Sequence, residues 1–456
     1  MYEGKGWNRK RRGKGRLWKG FCMGIMTLCM IGAYIALTGR LLPAKAFVMT
    51  QPETEPTEEA EIRNETVSEP EYIEKEPGEP VIVLDPGHGG EDEGCASEGV
   101  WEKDVNLAIA RLVQGKLEAL GYQVIMTRED DTYIAKEDRV KLANESQADI
   151  YVSIHQNSSE DASVSGMEVW FEGEDAQRDN QRLAQLIHKE TIQSTGAAER
   201  VLRGDAEFHV TGKTDMPACL IETGFLTNMA ECKKLVTEDY QEKIAEGIVQ
   251  GIELYFHPKT MYLTFDDGPS PENTYRVLDV LKERNIKATF FLVGENVRRY
   301  PEVVQRIVAE GHTIGIHSDS HDYNAIYESV DSFIEDFEAA HQTVLELTGV
   351  DAKLYRFPGG SINNFNRDVY EDIIEEMSAR GYIYFDWNAS LEDATAKPEP
   401  EQLIANGVET TFGRKKVVML AHDVVYQTGI CLDELLDCLP EYEMMPLTED
   451  VTPIQF

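Results

Sequence analysis

Two sets of imidazoles and carboxylates along the chain could each hold a metal ion and manage a proton beside it. In the first half, His88 lies in the glycine-rich run Asp85-Pro-Gly-His-Gly-Gly90 and Glu102 in Trp-Glu-Lys-Asp-Val-Asn-Leu. His155 closes Tyr-Val-Ser-Ile-His, and Glu222 lies in Ala-Cys-Leu-Ile-Glu-Thr-Gly-Phe-Leu-Thr-Asn. Metal-assisted hydrolysis needs two or three N/O ligands, an open position for water and a carboxylate nearby to move protons. In the second half, Asp266 and Asp267 are adjacent in Thr-Phe-Asp-Asp-Gly-Pro, a costly pairing unless one meets a cation. His317 and His321 are four apart in His-Ser-Asp-Ser-His, so a helical turn would put both on one face. His422 sits in Val-Val-Met-Leu-Ala-His-Asp. Taken singly, each residue has an ordinary reading: a capping His, a Glu favoured by a helix dipole, a satisfied core His, aspartates closing a turn.

His88, His155, Glu222, the Asp266–Asp267 pair and His422 fall at or just after the ends of predicted strands, where α/β active sites collect, and Glu102 opens the next helix. A buried-strand run, Val81-Ile-Val-Leu, opens a βαβα alternation that continues through helix-like Asn106–Leu120, strand Gln123–Thr127, strand Ile150–His155 and helix-like Arg182–Thr195 to Phe256. After the short joint His257-Pro258-Lys259, a second alternation starts at Met261–Phe265 and runs to the end of the chain. The halves share a rhythm but no repeated motif. The expected organisation is therefore two α/β catalytic domains, 81–256 and 261–456.

Charge is unevenly placed. The formal net charge is −38, yet residues 1–20 carry eight Lys/Arg against Glu3. So acidic a body repels nucleic acid, and DNA binding is disfavoured on electrostatics. The basic segment 1–20 precedes an uncharged run, Phe21 to Leu37, at the lower length limit of a spanning helix. A transmembrane helix over 21–38 is expected, with the body outside the cell membrane. The alternative is secretion after cleavage near Ala46, in the A-x-A site Ala44-Lys45-Ala46. Residues 39–80 read as a disordered acidic linker, with eleven Glu and five Pro between 51 and 80. Seven cysteines without CxxC spacing read as free thiols.

In order along the chain, DPGHGG (85–90), EKDVNLA (102–108), MTRxxD from Met126, RVxLAN from Arg139, SIHxN from Ser153 and MPAxLxExGFLTN from Met216 resemble the zinc-dependent N-acetylmuramoyl-L-alanine amidases across residues 81–256. The resemblance implies Zn²⁺ bound by His88, Glu102 and His155, with Glu222 as general base, and cleavage between muramic acid and the L-Ala of the stem peptide. His188, His209 and His257 have no place in these motifs.

The second half resembles the polysaccharide deacetylases of the NodB-homology group. That resemblance implies Zn²⁺ or another divalent metal on Asp267, His317 and His321, Asp266 as base, and Arg356 orienting it. It implies His422 as general acid, oriented by Asp393, with Asp386 the other candidate, and an oxyanion site at the backbone N–H of Gly359. The family usually carries Tyr at that position and Trp after the aspartate; here Gly359 and Ala394 stand there. The implied folds are an open α/β sheet of zinc-amidase type and a distorted (β/α) barrel. The implied partners are peptidoglycan glycan strands and stem peptides, with the membrane reached through the N-terminal helix. The alternative is a wall-binding protein with only one active catalytic domain.

Overall fold

A computed structural model of the chain describes residues 78–456, apart from 174, 176, 205–207 and 395–398. The expected cytoplasmic segment, spanning helix and most of the acidic linker lie outside the described residues. Among the described residues no helix is long and apolar enough to cross a membrane. The single-pass membrane localisation is withdrawn on that finding.

The first half builds a six-stranded sheet from β1 (Val81–Pro86), β4 (Gln123–Met126), β5 (Ile150–Asn157), β6 (Met167–Phe171), β7 (Glu199–Arg203) and β8 (Ala218–Phe225), beside a small hairpin of β2 (Ala96–Ser97) and β3 (Val100–Trp101). The order is β4-β1-β5-β8-β6-β7. All neighbours are parallel except β6 and β8. In β1, Ile82 and Leu84 enter one core while Val81 and Val83 enter another, as strands buried on both faces require. The helix Glu102–Ala119 covers one face through Val105, Ile109, Val113 and Leu117, a stripe at four-residue spacing. Its neighbour Glu238–Phe256 ends just before the joint.

The second half builds an eight-stranded, all-parallel sheet from β9 (Lys259–Asp266), β10 (Thr289–Val293), β11 (Thr313–Ser318), β12 (Leu354–Tyr355), β13 (Ile383–Tyr384), β14 (Ala389–Ser390), β15 (Lys416–His422) and β16 (Tyr442–Met445). β9 begins two residues before the expected Met261, because Lys259 and Thr260 already pair with β16 and β15. The sheet runs β13-β12-β11-β10-β9-β15-β14 and is not closed by pairing among the described residues. The expected barrel is therefore incomplete. Its outermost strands, β13 and β14, are only two residues long, and so offer too few backbone groups to join the ends.

The two sheets are tied together by side chains of the helix Asn180–Thr195. Arg182 donates to the carbonyl of Pro440 (3.1 Å) and to those of Leu254 and Tyr255 at the end of the helix Glu238–Phe256, while Lys189 pairs with Glu441 at 2.7 Å.

Candidate metal centres

The first cluster gathers at the C-terminal ends of β1, β5 and β8, where parallel strands leave their following loops free to converge. Glu102 Oε1 lies 3.2 Å from His88 Nε2 and 2.9 Å from His155 Nδ1. The three groups could hold a metal ion, with ligand atoms all within 4.8 Å of one another. His155 can reach Glu102 only because residue 87 is glycine: a Cβ there would lie 2.2 Å from the imidazole. Glu102 is the first residue of its helix, where the dipole favours its charge. It is further held by the Cys95 and Gln156 amides and by Asn106. Cys95, outside every motif run, thus touches an implied ligand through its backbone.

Glu222 stands beside His155 in the parallel register of β5 and β8. Its Oε2 is shielded from solvent and has no hydrogen-bond partner. Burial pushes this carboxyl up to about 7; the imidazole of His155 opposes the shift, and the carboxylates of Glu102 and Glu168 add to it. A carboxylate left without a partner beside three convergent ligands fits a proton carrier next to a cation. The cleft holding all four measures about 530 Å³ and is also lined by Tyr133, Asn157 and His209. His209, without a motif place in the sequence, is therefore part of this wall.

His88 has a left-handed backbone, φ 63°, a conformation costing a non-glycine residue about 1–3 kcal/mol. Two arginines hold it there. Arg139 donates to the carbonyls of Pro86 (2.9 Å) and His88 (2.7 Å), and Arg128 to those of Pro86 (2.9 Å) and Gly87 (3.0 Å). Arg139 is itself fixed by the buried Asp85, which also accepts from Thr127, Tyr151 and Ser153. Reading the residues one by one missed these positioning groups, although the MTRxxD and RVxLAN runs contain both arginines.

The second cluster forms where β9 and β11 end. Asp267 Oδ1 lies 3.3 Å from His317 Nε2 and 3.1 Å from His321 Nε2. Together the three groups could hold a metal ion. Asp267 Oδ1 is buried yet makes no hydrogen bond, so the three atoms converge on a common centre rather than satisfying one another. The histidines do not share a helical turn as the spacing suggested. His317 is the last residue but one of β11, and the chain bends back through His321 at φ 58°. Asp336 fixes that bend by accepting from Ser318 Oγ (2.6 Å), Asp319 N (2.7 Å) and Ser320 N (2.9 Å). His317 Nδ1 lies 2.9 Å from the carbonyl of Arg356, which directs Nε2 to the centre.

Asp266 is paired with the fully buried Arg356 at 2.9 Å; that guanidinium also bonds Thr264 and the carbonyls of Phe385 and Asp386, and lies 4.3 Å from the Phe291 ring centre. His422 Nε2 approaches Asp267 Oδ2 at 4.0 Å, while its Nδ1 is 2.7 Å from Asp393. Burial disfavours the charged imidazole, but Asp393 outweighs it and the His422 pKa rises to about 9. Asp386, the other candidate partner, faces away: it accepts from Ser361 and from the Phe456 amide. Gly359 lies exposed on the turn after Arg356, at φ 77°. Asp423 was not anticipated. It is buried against Gly268, where a Cβ would meet it at 2.3 Å, and it accepts from Thr274.

Comparison with known proteins matches the chain to two families. The family of N-acetylmuramoyl-L-alanine amidases matches residues 82–254, and the polysaccharide deacetylase family matches residues 255–378. A germination-specific N-acetylmuramoyl-L-alanine amidase of Bacillus subtilis is 36% identical over 193 residues, covering 39% of this chain and 81% of that protein. A peptidoglycan-N-acetylglucosamine deacetylase of Bacillus cereus is 32% identical over 187 residues, covering 40% of this chain and 66% of the relative. Among solved structures, the catalytic domain of a peptidoglycan N-acetylglucosamine deacetylase from Eubacterium rectale is 35% identical, with 44% of this chain and 93% of that one covered and a TM-score of 0.42.

Proposed function

The chain belongs to the N-acetylmuramoyl-L-alanine amidases through its first half and to the polysaccharide deacetylases through its second, and from that premise we propose how its own residues divide the work of a peptidoglycan-modifying hydrolase. The domains are taken as 81–256 and 261–456. The observation carrying the proposal is that each contains one convergent His/carboxylate triad with a second carboxylate beside it that is no part of the triad.

In the amidase, His88, Glu102 and His155 would hold Zn²⁺; in the deacetylase, Asp267, His317 and His321 would hold Zn²⁺ or another divalent cation. When bound, such an ion supplies a Lewis acid that lowers the pKa of water towards about 7. Glu222 takes the proton of the attacking water and returns it to the amine of the departing L-Ala. Its raised pKa suits both transfers near neutrality. In the second site Asp266, oriented by Arg356, is the base. His422, fixed by Asp393, donates to the amine left as acetate departs. The Gly359 amide faces the developing oxyanion. Peptidoglycan strands and stem peptides are the substrates.

The test is mass spectrometry of peptidoglycan digested by the wild type, Glu222→Gln and Asp266→Asn. Each variant loses one product and keeps the other. Loss of both products in either variant, or of neither, contradicts the assignment.

A further inference from the structure

The turn after Arg356 has no room for a side chain at Gly359. Its φ of 77° is unfavourable to any other residue, and a Cβ there would sit 2.8 Å from the ring of Tyr323. That ring stands edge-on to the imidazole of His321, 5.2 Å between centres, and its centre is also 5.2 Å from that of the Phe365 ring.

Phe365 is 53% exposed and its neighbour Ile362 49%. Neither hangs on a loose loop. Asn363 Oδ1 accepts from the amides of Phe365 (2.7 Å) and Asn366 (3.2 Å), and Asn363 Nδ2 donates to the carbonyls of Pro358 and Gly360 (both 3.1 Å). Buried Asn366 closes the turn through the Ser361 carbonyl (3.0 Å) and the Asn363 amide (2.8 Å). A pinned turn thus presents an apolar ring to water at the edge of a catalytic cluster, an arrangement that exposes apolar area without gain unless a ligand covers it. The electron-rich face of an aromatic ring attracts the slightly positive C–H face of a pyranose. Because the ring is already fixed, little ordering entropy remains to oppose binding.

We propose that Phe365, backed by Tyr323, is the platform on which a pyranose of the glycan strand stacks beside the sugar being deacetylated. This rests on the deacetylase reading above.

The test uses the full chain with metal bound and two substrates: glycan strands stripped of peptides, and p-nitrophenyl acetate, which carries an acetyl group but no sugar. Phe365→Ala is expected to raise KM for the strands about tenfold, the equivalent of 1.4 kcal/mol. Its kcat, its metal content and its rate on the small ester stay within about twofold of wild type, since only uniform binding is removed. Phe365→Trp restores the KM. An unchanged KM in Phe365→Ala overturns the platform. So does a slowing on the ester equal to that on the strands, which marks a structural role. A wild type that releases acetate from neither substrate overturns the deacetylase reading, and the platform with it.

Discussion

Glu222 lies next to His155 across two adjacent parallel strands, so the shielded carboxylate and the imidazole are delivered to one point by sheet register rather than by a loop. Register is costly to change, since a one-residue slip would turn every side chain of the strand to the other face. The same device recurs in the second half, where His422 pairs with Asp266 across β15 and β9.

Substituting Glu222 by Gln is therefore predicted to leave the fold and metal content intact while stem-peptide release falls by roughly 10²–10⁴-fold. Metal analysis and an amidase assay on the same preparation check this. A Glu222→Gln protein that releases peptide at the wild-type rate would remove Glu222 from its role.

In the second site, Asp266→Asn is predicted to keep the metal and lose activity, whereas His317→Ala and His321→Ala are predicted to lose metal. The split follows from Asp266 being committed to Arg356 while both imidazoles point at Asp267. Equilibrium dialysis against Zn²⁺ separates the cases. Metal loss in Asp266→Asn with retention in both histidine variants would show the two roles exchanged.

Asp393→Asn is expected to lower deacetylation by about 10²-fold or more without affecting metal binding, because it holds His422 through both the ring nitrogen and the backbone amide. Amidase activity of the same chain serves as the folding control. Unaltered deacetylation would pass the orienting role to some other group.

Arg139→Met should cost about 3–5 kcal/mol in denaturant unfolding, the usual penalty for leaving a buried charge unpaired. Burial works against the Asp85 carboxylate, but Arg139, Thr127 and Tyr151 outweigh it and hold its pKa below the ordinary value of 3.8. A depressed folded-state pKa contributes stability that is present above the unfolded value and lost as pH falls through the folded one. Wild type should thus keep this contribution down to about pH 4. The variant, with its carboxyl pKa released upward by burial, should begin losing stability at a higher pH. Identical acid-unfolding curves would count against the Asp85–Arg139 anchor.

The metal-ligand candidates were legible in the sequence because strand-end His and Glu residues sit inside ordered motif runs, and the alternation of elements around them is unambiguous. What the sequence hid were contacts made by backbone. The Cys95 amide on Glu102, the carbonyls held by Arg128 and Arg139, and the bend fixed by Asp336 depend on chain path rather than residue type. Spacing misled at His317 and His321: four residues fit a helical turn, but the strand end and a left-handed residue bring the rings together as well. The barrel was overdrawn for a similar reason, since hydrophobic runs mark strands without showing how briefly β12, β13 and β14 pair.

The central claim is that one chain cuts one class of bond, the C–N amide, at two places in the same polymer. Its most direct test is mass spectrometry of purified peptidoglycan after digestion with the 81–456 fragment. The account predicts glycan fragments that have lost the stem peptide, together with amino sugars lighter by one acetyl group. Both changes should disappear after metal removal and return with added Zn²⁺. Intact stem peptides and fully acetylated sugars after digestion with the metal-loaded fragment would contradict it.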